Sequence, residues 1–242
     1  MFPPLSERAS AWFCVAILER DAVNIGSVFQ KYNLPFSGGR MIIEMSKDPE
    51  FSVVVGDLIK KNSIDEIVET GAYQGLGSTL VFARTGLPVY SIECNPVYYE
   101  AARNNLKDYP KVTILHGYSL KQADILAFIR QDNIYKTNPE LKVESRELYI
   151  KESSVKAPAQ DLLEKMINNN KRQIVFLDST GGAGYLEFKK FINLPKEMLK
   201  EKILMMDDID HVKHYRSVKY LESRGYKVNY SKSKRWGWCD IF

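Results

Sequence analysis

Residues 64–78 constrain the fold most: an apolar run through Ile64, Ile67 and Val68 ends at Glu69, and Gly71, Gly75 and Gly77 follow before an amphipathic segment begins. The pattern predicts a strand, a tight turn and a helix start. Glycine tolerates positive φ and leaves no side chain in the way, so such a turn brings bare backbone N–H groups close to a ligand. A nucleoside-type cofactor is the expected occupant. The glycines are spaced G-x-x-x-G-x-G, whereas a dinucleotide turn needs G-x-G-x-x-G with its third glycine where helix meets strand. Glu69 would set a carboxylate at the strand's end, which suits a cationic ligand and opposes a pyrophosphate.

A second apolar run, residues 87–93, also ends in an acid, Glu93. It lies near the spacing of about 20 residues at which such folds hold a ribose, and a carboxylate accepts both vicinal hydroxyl protons. Asn95 and Pro96 open a helix with Tyr98, Ala101, Ala102 and Leu106 as its buried face, and residues 111–115 form a third strand ending in His116, Gly117, Tyr118 and Ser119. Residues 173–178 and 203–206 read as fourth and fifth strands, and residues 225–230 and 235–242 as a terminal antiparallel hairpin.

Through Glu69, Gly71, Gly75 and Gly77 the chain resembles the class I S-adenosylmethionine-dependent methyltransferases, whose first motif is E-x-G-x-x-x-G-x-G. The resemblance covers residues 64–242 and is strongest between Glu69 and Glu93. It implies an α/β fold with a doubly wound, seven-stranded Rossmann-like sheet, mostly parallel and closed by the C-terminal hairpin. It also implies S-adenosylmethionine held by Glu69, Gly71, Ala72, Tyr73, Gly75, Gly77 and Ser78. The ribose would lie on Glu93 beside Cys94, the adenine near Tyr118 and Ser119, and Asp178 would also line the cofactor site.

Open α/β sheets bind ligands outside the carboxyl edge, where Asp178 ends the fourth strand and Asp207 and Asp208 end the fifth. Three converging carboxylates repel one another unless a cation or proton sits among them, and oxygen-only ligands favour a hard ion such as Mg²⁺. The arrangement is similar to that of catechol-type and sugar metal-dependent O-methyltransferases, although the pair here is Asp-Asp. The competing reading is that Asp207 and Asp208 cap the helix starting near Asp210. His211 is the expected general base, activating an acceptor hydroxyl for in-line attack on the sulfonium methyl. Asp178 is placed beside it as a catalytic residue and metal ligand, and His214 is expected in solvent at the helix start. Lys213 and Arg216 either hold an anionic part of the substrate or are solvated. The glycine-rich loop 179–185 either meets the ligand or is a structural turn.

At 242 residues, 45% hydrophobic and 26% charged, the chain can bury one large core. A helical N-terminal extension or cap is expected over residues 1–62, with a break at 35–40, and the cofactor-binding domain over 63–242. Residues 131–159, polar and interrupted by Pro139 and Pro158, read as a surface insertion or mobile lid. The run at 11–18 is too short to span a bilayer and reads as a buried helix, so no membrane span is expected. Cys14, Cys94 and Cys239 are too far apart for a zinc knuckle or disulfide framework, which points to a reducing, cytoplasmic setting.

A net charge of +4 without a long basic run does not call for nucleic acid and does not exclude it. Lys232, Lys234, Arg235, Trp236 and Trp238 fit a lysine-bearing hairpin better than a nucleic-acid surface. Phe2, Trp12 and Phe13 are candidates for a homo-oligomer interface. The expected function is O-methylation of a small-molecule or sugar hydroxyl, assisted by a divalent cation. The alternatives are an RNA or protein methyltransferase and a non-catalytic module that keeps the fold.

Overall fold

The computed structural model describes residues 45–141, 144–168 and 170–241. The expectations for the 11–18 helix, the 35–40 break, Phe2, Trp12, Phe13 and Cys14 lie outside them. A 3₁₀ turn over Met45–Lys47 leads into helix α1 (Pro49–Asn62). Asp48 starts α1 because its Oδ1 accepts the N–H groups of Glu50 at 2.9 Å and Phe51 at 3.2 Å, and Pro49 suits the first turn.

Strand β1 (Glu66–Thr70) is followed by α2 (Ser78–Arg84), β2 (Val89–Glu93), α3 (Pro96–Asn105), β3 (Val112–His116) and α4 (Gln122–Gln131). The short helices α5 (Ile134–Thr137), α6 (Arg146–Glu152) and α7 (Leu162–Met166) precede β4 (Gln173–Leu177). Then come α8 (Gly184–Ile192), α9 (Lys196–Leu199), β5 (Lys202–Met206), α10 (Tyr215–Ser223), β6 (Asn229–Tyr230) and β7 (Gly237–Asp240).

The strands form one seven-stranded sheet in the order β3-β2-β1-β4-β5-β7-β6. The first five are mutually parallel, and β7 runs antiparallel to both β5 and β6. This is the doubly wound α/β sheet with a terminal hairpin that was expected, though β6 keeps only two residues. The order reverses between β1 and β4, so the loops after these strands and their neighbours open the crevice where ligands bind in such sheets. β1, β4 and β5 are buried at every position, as strands covered by helices on both faces must be.

On one face, Phe188 and Phe191 of α8 and Leu221 of α10 pack over Val175 and Leu204. On the other, Phe51, Phe82, Phe176 and Trp236 form a ring cluster, with Trp236 edge-on to Phe51 at a centroid distance of 5.1 Å. Trp236 also donates its indole N–H to Asp48 Oδ2 at 2.9 Å. Helix α1 is therefore part of the sheet's own core. The compact unit containing the sheet spans Met41–Phe242. Trp236 is fully buried and Arg235 points at Asp207, so these two of the five residues are committed within the fold.

The segment after α4, read above as a surface insertion or mobile lid, packs as a cap on the domain. Ile134, Leu141 and Tyr149 are buried against Ile129, Ala183 and Val212. Tyr118 Oη hydrogen-bonds the carbonyls of Ser153 and Val155, each at 2.8 Å. Helix α7 buries Leu162 and Leu163. Among the described residues, no helix is long and apolar enough to cross a membrane.

Trp236→Ala should lower unfolding stability by about 3–5 kcal/mol, the usual cost of emptying a buried aromatic site. Urea denaturation checks this, and a loss within about 0.5 kcal/mol, the usual range for surface substitutions, would place the ring outside the core.

Candidate functional site

The β1–α2 loop crosses the carboxyl edge with Gly71 at φ +84 and Gly75 at φ +76. Gly71 is required by a close approach as well as by its φ. A Cβ there would lie 2.3 Å from the Asp178 carbonyl oxygen. The backbone donors expected to face a ligand are partly committed elsewhere. Gly71 N–H and Ala72 N–H both donate to Ile92 O, at 2.8 and 3.2 Å, and Gly75 N–H donates to Ala72 O at 2.9 Å. What the loop offers is space: a Cβ on Gly77 would meet nothing within 4 Å.

Glu69 does not open toward that space. It is fully buried inside β1, and its carboxylate accepts three hydroxyl protons: Ser78 Oγ on one oxygen, Thr79 Oγ1 at 2.7 Å and Ser91 Oγ at 2.5 Å on the other. Burial raises its pKa against the pull of these hydroxyls. The side chain fastens β1, β2 and the start of α2 together, so its expected contact with a cationic ligand is corrected to a positioning role. Ser78, also expected at the cofactor, is the first of these donors.

Glu93 is differently placed. At the end of β2, its Oε2 accepts Tyr73 N–H and its Oε1 accepts Asn95 N–H, both at 2.8 Å. A carboxylate offers about four acceptor positions, so these backbone donors leave capacity for a further donor. Burial raises this carboxyl to about 7, opposed by the backbone donors of Asn95, Tyr73 and Cys94. Tyr73, at φ +50, exposes its ring beside Tyr98 at a centroid distance of 4.3 Å. Cys94 is half-buried as a free thiol, raised to about 12 by burial and by Glu93.

Tyr118 and Ser119 are both buried. The hydroxyl of Tyr118 serves the cap, and that of Ser119 donates to Glu187. Glu187, on α8, is fully buried and also accepts Thr70 Oγ1 at 3.1 Å, while Asp178 N–H donates to Thr70 Oγ1 at 3.0 Å. The sequence pattern gave no sign of this carboxylate, because an acid between Leu186 and Phe188 reads as a helix's solvent face. A serine after β3 and a threonine at the end of β1 were the available hints.

Oxygens of Asp178, Asp207 and Asp208 do converge, within 4.8 Å of one another. Their neighbours are cations of the chain itself. Lys213 Nζ contacts Asp178 Oδ1 and lies 3.2 Å from Asp208 Oδ2. Arg235 takes both oxygens of Asp207, Nε at 3.0 Å and Nη2 at 2.7 Å. His211 Nε2 lies 3.1 Å from Asp208 Oδ1, and His211 Nδ1 is buried without a hydrogen-bond partner. Burial alone would raise Asp208, yet Lys213 and His211 hold it well below the usual carboxylate range. The Lys213 ammonium is raised despite its burial, by Asp178 first and then Asp208. Asp208 itself stands at φ +53, a strained position for a residue with a side chain.

These residues do not fit a resident divalent ion, since the position among the carboxylates is taken by an ammonium and both oxygens of Asp207 are engaged. The groups a ribose diol needs are present at Glu93, whose carboxylate accepts the Tyr73 N–H of the same loop in which Gly77 leaves space for a Cβ.

Two further expectations change, and the 179–185 loop serves packing. His214 is fully buried, with Nδ1 3.1 Å from Ser217 Oγ, and burial and Lys213 lower its pKa, so it is a neutral core residue. Arg216 is bidentate to Asp132, at 2.8 and 2.5 Å, and lies 4.1 Å over the Tyr185 ring. It pins α4 to α10 and is not offered to a substrate. In the 179–185 loop, a Cβ on Gly181 would lie 2.5 Å from Tyr149 Oη, so that glycine makes room for the cap. At the opposite, amino edge, a cleft of about 420 Å³ is lined by Lys61, Arg172 and Lys202. The Lys202 ammonium there is committed to the carbonyls of Asn168, Lys171 and Lys200.

No family model and no curated protein sequence matches the chain. Similar solved structures include an O-methyltransferase from Bacillus cereus in complex with SAH, at 15% identity and a TM-score of 0.44, covering 96% of this chain and 95% of that one. An O-methyltransferase from Streptomyces achromogenes in complex with SAM is 15% identical with a TM-score of 0.43, covering 98% and 97%. Precorrin-6y C5,15-methyltransferase from Geobacter metallireducens is 14% identical with a TM-score of 0.43, covering 81% and 82%. At this identity and TM-score the likeness decides nothing about activity or acceptor.

Gly71→Ala should destabilise the fold by about 1–3 kcal/mol, because the added methyl overpacks against the Asp178 backbone. Gly77→Ala, with open space around it, should cost less than Gly71→Ala. Thermal melts of the two variants check the order, and equal losses would contradict it.

Proposed function

We propose that the chain is an S-adenosylmethionine-dependent methyltransferase that methylates a hydroxyl of a small molecule or sugar. The observation that carries the proposal is Glu93: a carboxylate at the end of β2, bonded to Tyr73 in the glycine turn and to Asn95 in the loop that follows β2. A ribose diol would donate to its remaining lone pairs, and the ring of Tyr73 would flank the same crevice. S-adenosylmethionine, when bound, supplies an electrophilic methyl group on a sulfonium centre.

The residues after β4 and β5 would handle the acceptor. Donation from His211 Nε2–H to Asp208 leaves Nδ1 as the lone pair that takes the acceptor's hydroxyl proton as oxygen attacks in line. Asp208 orients this ring, and Asp178 orients Lys213. The cap packs on Gly181, Gly182 and Val212, next to this cluster, and would limit water there.

An RNA acceptor is disfavoured by charge. Among the described residues, Lys213, Arg216 and Arg235 are each paired with aspartate, whereas a polyanion needs cations left for phosphate. A non-catalytic scaffold is disfavoured by the strained Asp208 and the unpartnered His211 nitrogen, features that persist where strain serves a mechanism.

Calorimetry with S-adenosylhomocysteine should show saturable binding of one molecule per chain, and Glu93→Ala should weaken it by about 1.5–3 kcal/mol, the range for hydrogen bonds to a charged group. The sign of the pH dependence follows from the raised carboxyl. Glu93 is ionised above about 7 and protonated below, so affinity should fall as pH drops through that value. Absence of binding at any pH would end the methyltransferase reading, and a flat pH profile would remove Glu93 from the ribose.

A further inference from the structure

The three carboxylates after β4 and β5 are set as a cation site would be, and the groups around Lys213 are built to keep its ammonium there. Its side chain is only 5% exposed and bridges Asp178 to Asp208. Its stem runs through a slot opened by Gly184: a Cβ at that position would lie 2.6 Å from Lys213 Cγ and 3.0 Å from His214 Nε2. Asp208 adopts φ +53 in the conformation that brings its two oxygens to Lys213 and His211. Arg235 neutralises Asp207 through both oxygens and lies 3.7 Å from Asp208 Oδ1. Two permanent cations thus face three carboxylates, and a dication added among them would sit against an ammonium that the slot does not let withdraw.

We propose that Lys213 is the resident cation of this site, standing between Asp178 and Asp208 in place of a divalent ion, so that the centre needs no metal. Its role toward an acceptor oxygen rests on the methyltransferase reading, but its occupancy of the cation position does not. An ammonium has three N–H donors, and among the described residues two acceptors meet it, both carboxylates. The third donor is the one that would steady negative charge developing on the acceptor oxygen.

The test is titration of Mn²⁺, followed by the loss of the free-ion paramagnetic resonance signal, into the full chain as wild type, Lys213→Met and Asp178→Asn. S-adenosylhomocysteine binding is measured on the same samples in excess chelator. The wild type should leave the Mn²⁺ signal unchanged, and Lys213→Met should gain one bound Mn²⁺ per chain. Mn²⁺ bound by the wild type and lost in Asp178→Asn would overturn the proposal. So would a folded Lys213→Met chain that gains none. Circular dichroism reports folding, and if Lys213→Met does not fold, the wild type beside Asp178→Asn decides alone. Failure of S-adenosylhomocysteine to bind would sink the methyltransferase reading while leaving the Mn²⁺ result to judge Lys213.

Discussion

The carboxyl edge of this sheet depends on charge compensation within the chain. Asp178, Asp207 and Asp208 are brought together because β4 and β5 are adjacent parallel strands and end level with each other. Left alone, three desolvated carboxylates at this separation would oppose the sheet that gathers them. Lys213 and Arg235 come from segments that lie after β5 in the chain, and each closes an ion pair over the edge. The terminal hairpin is tied to the site in this way, since Arg235 precedes the buried Trp236 that anchors it in the core.

A second set of buried acids performs a quieter task. Glu69 and Glu187 are fully buried and accept protons from hydroxyls: Ser78, Thr79 and Ser91 for one, Ser119 and Thr70 for the other. Both carboxyls are raised by burial. Hydroxyl donors satisfy such groups without a countercharge, and satisfied networks fix geometry. Here they fix the crevice walls, Glu69 behind the glycine turn and Glu187 beneath the Asp178 backbone. Glu93, bound by backbone donors and raised to about 7, is the member of this group placed to exchange partners with a ligand.

The fold was largely legible in the chain because its signals are local. Apolar runs ending in acids marked β1, β2, β4 and β5, and Asn95 with Pro96 marked the start of α3. The trio of aspartates was also legible, since adjacent strand ends must converge. What filled the space between them was not: Lys213 and Arg235 reach the site through tertiary packing, and neither has a spacing signal. Strand periodicity did not say that Glu69 faces the hydroxyls of Ser78, Thr79 and Ser91. The cap was misread because its polar majority hides a few anchors, Ile134, Leu141 and Tyr149, whose burial depends on the 179–185 loop they meet. His214 was assigned to solvent because its position next to charged residues outweighed a helical face that only α10's packing reveals.

The most direct test is a crystal structure of the chain grown with S-adenosylhomocysteine and Mg²⁺. Expected are the ribose hydroxyls on Glu93, the thioether near the 71–77 turn, and the Lys213 ammonium still between Asp178 and Asp208 with no ion beside it. A ligand bound away from Glu93, or an octahedral ion coordinated by Asp178 and Asp208 with Lys213 displaced, would contradict this.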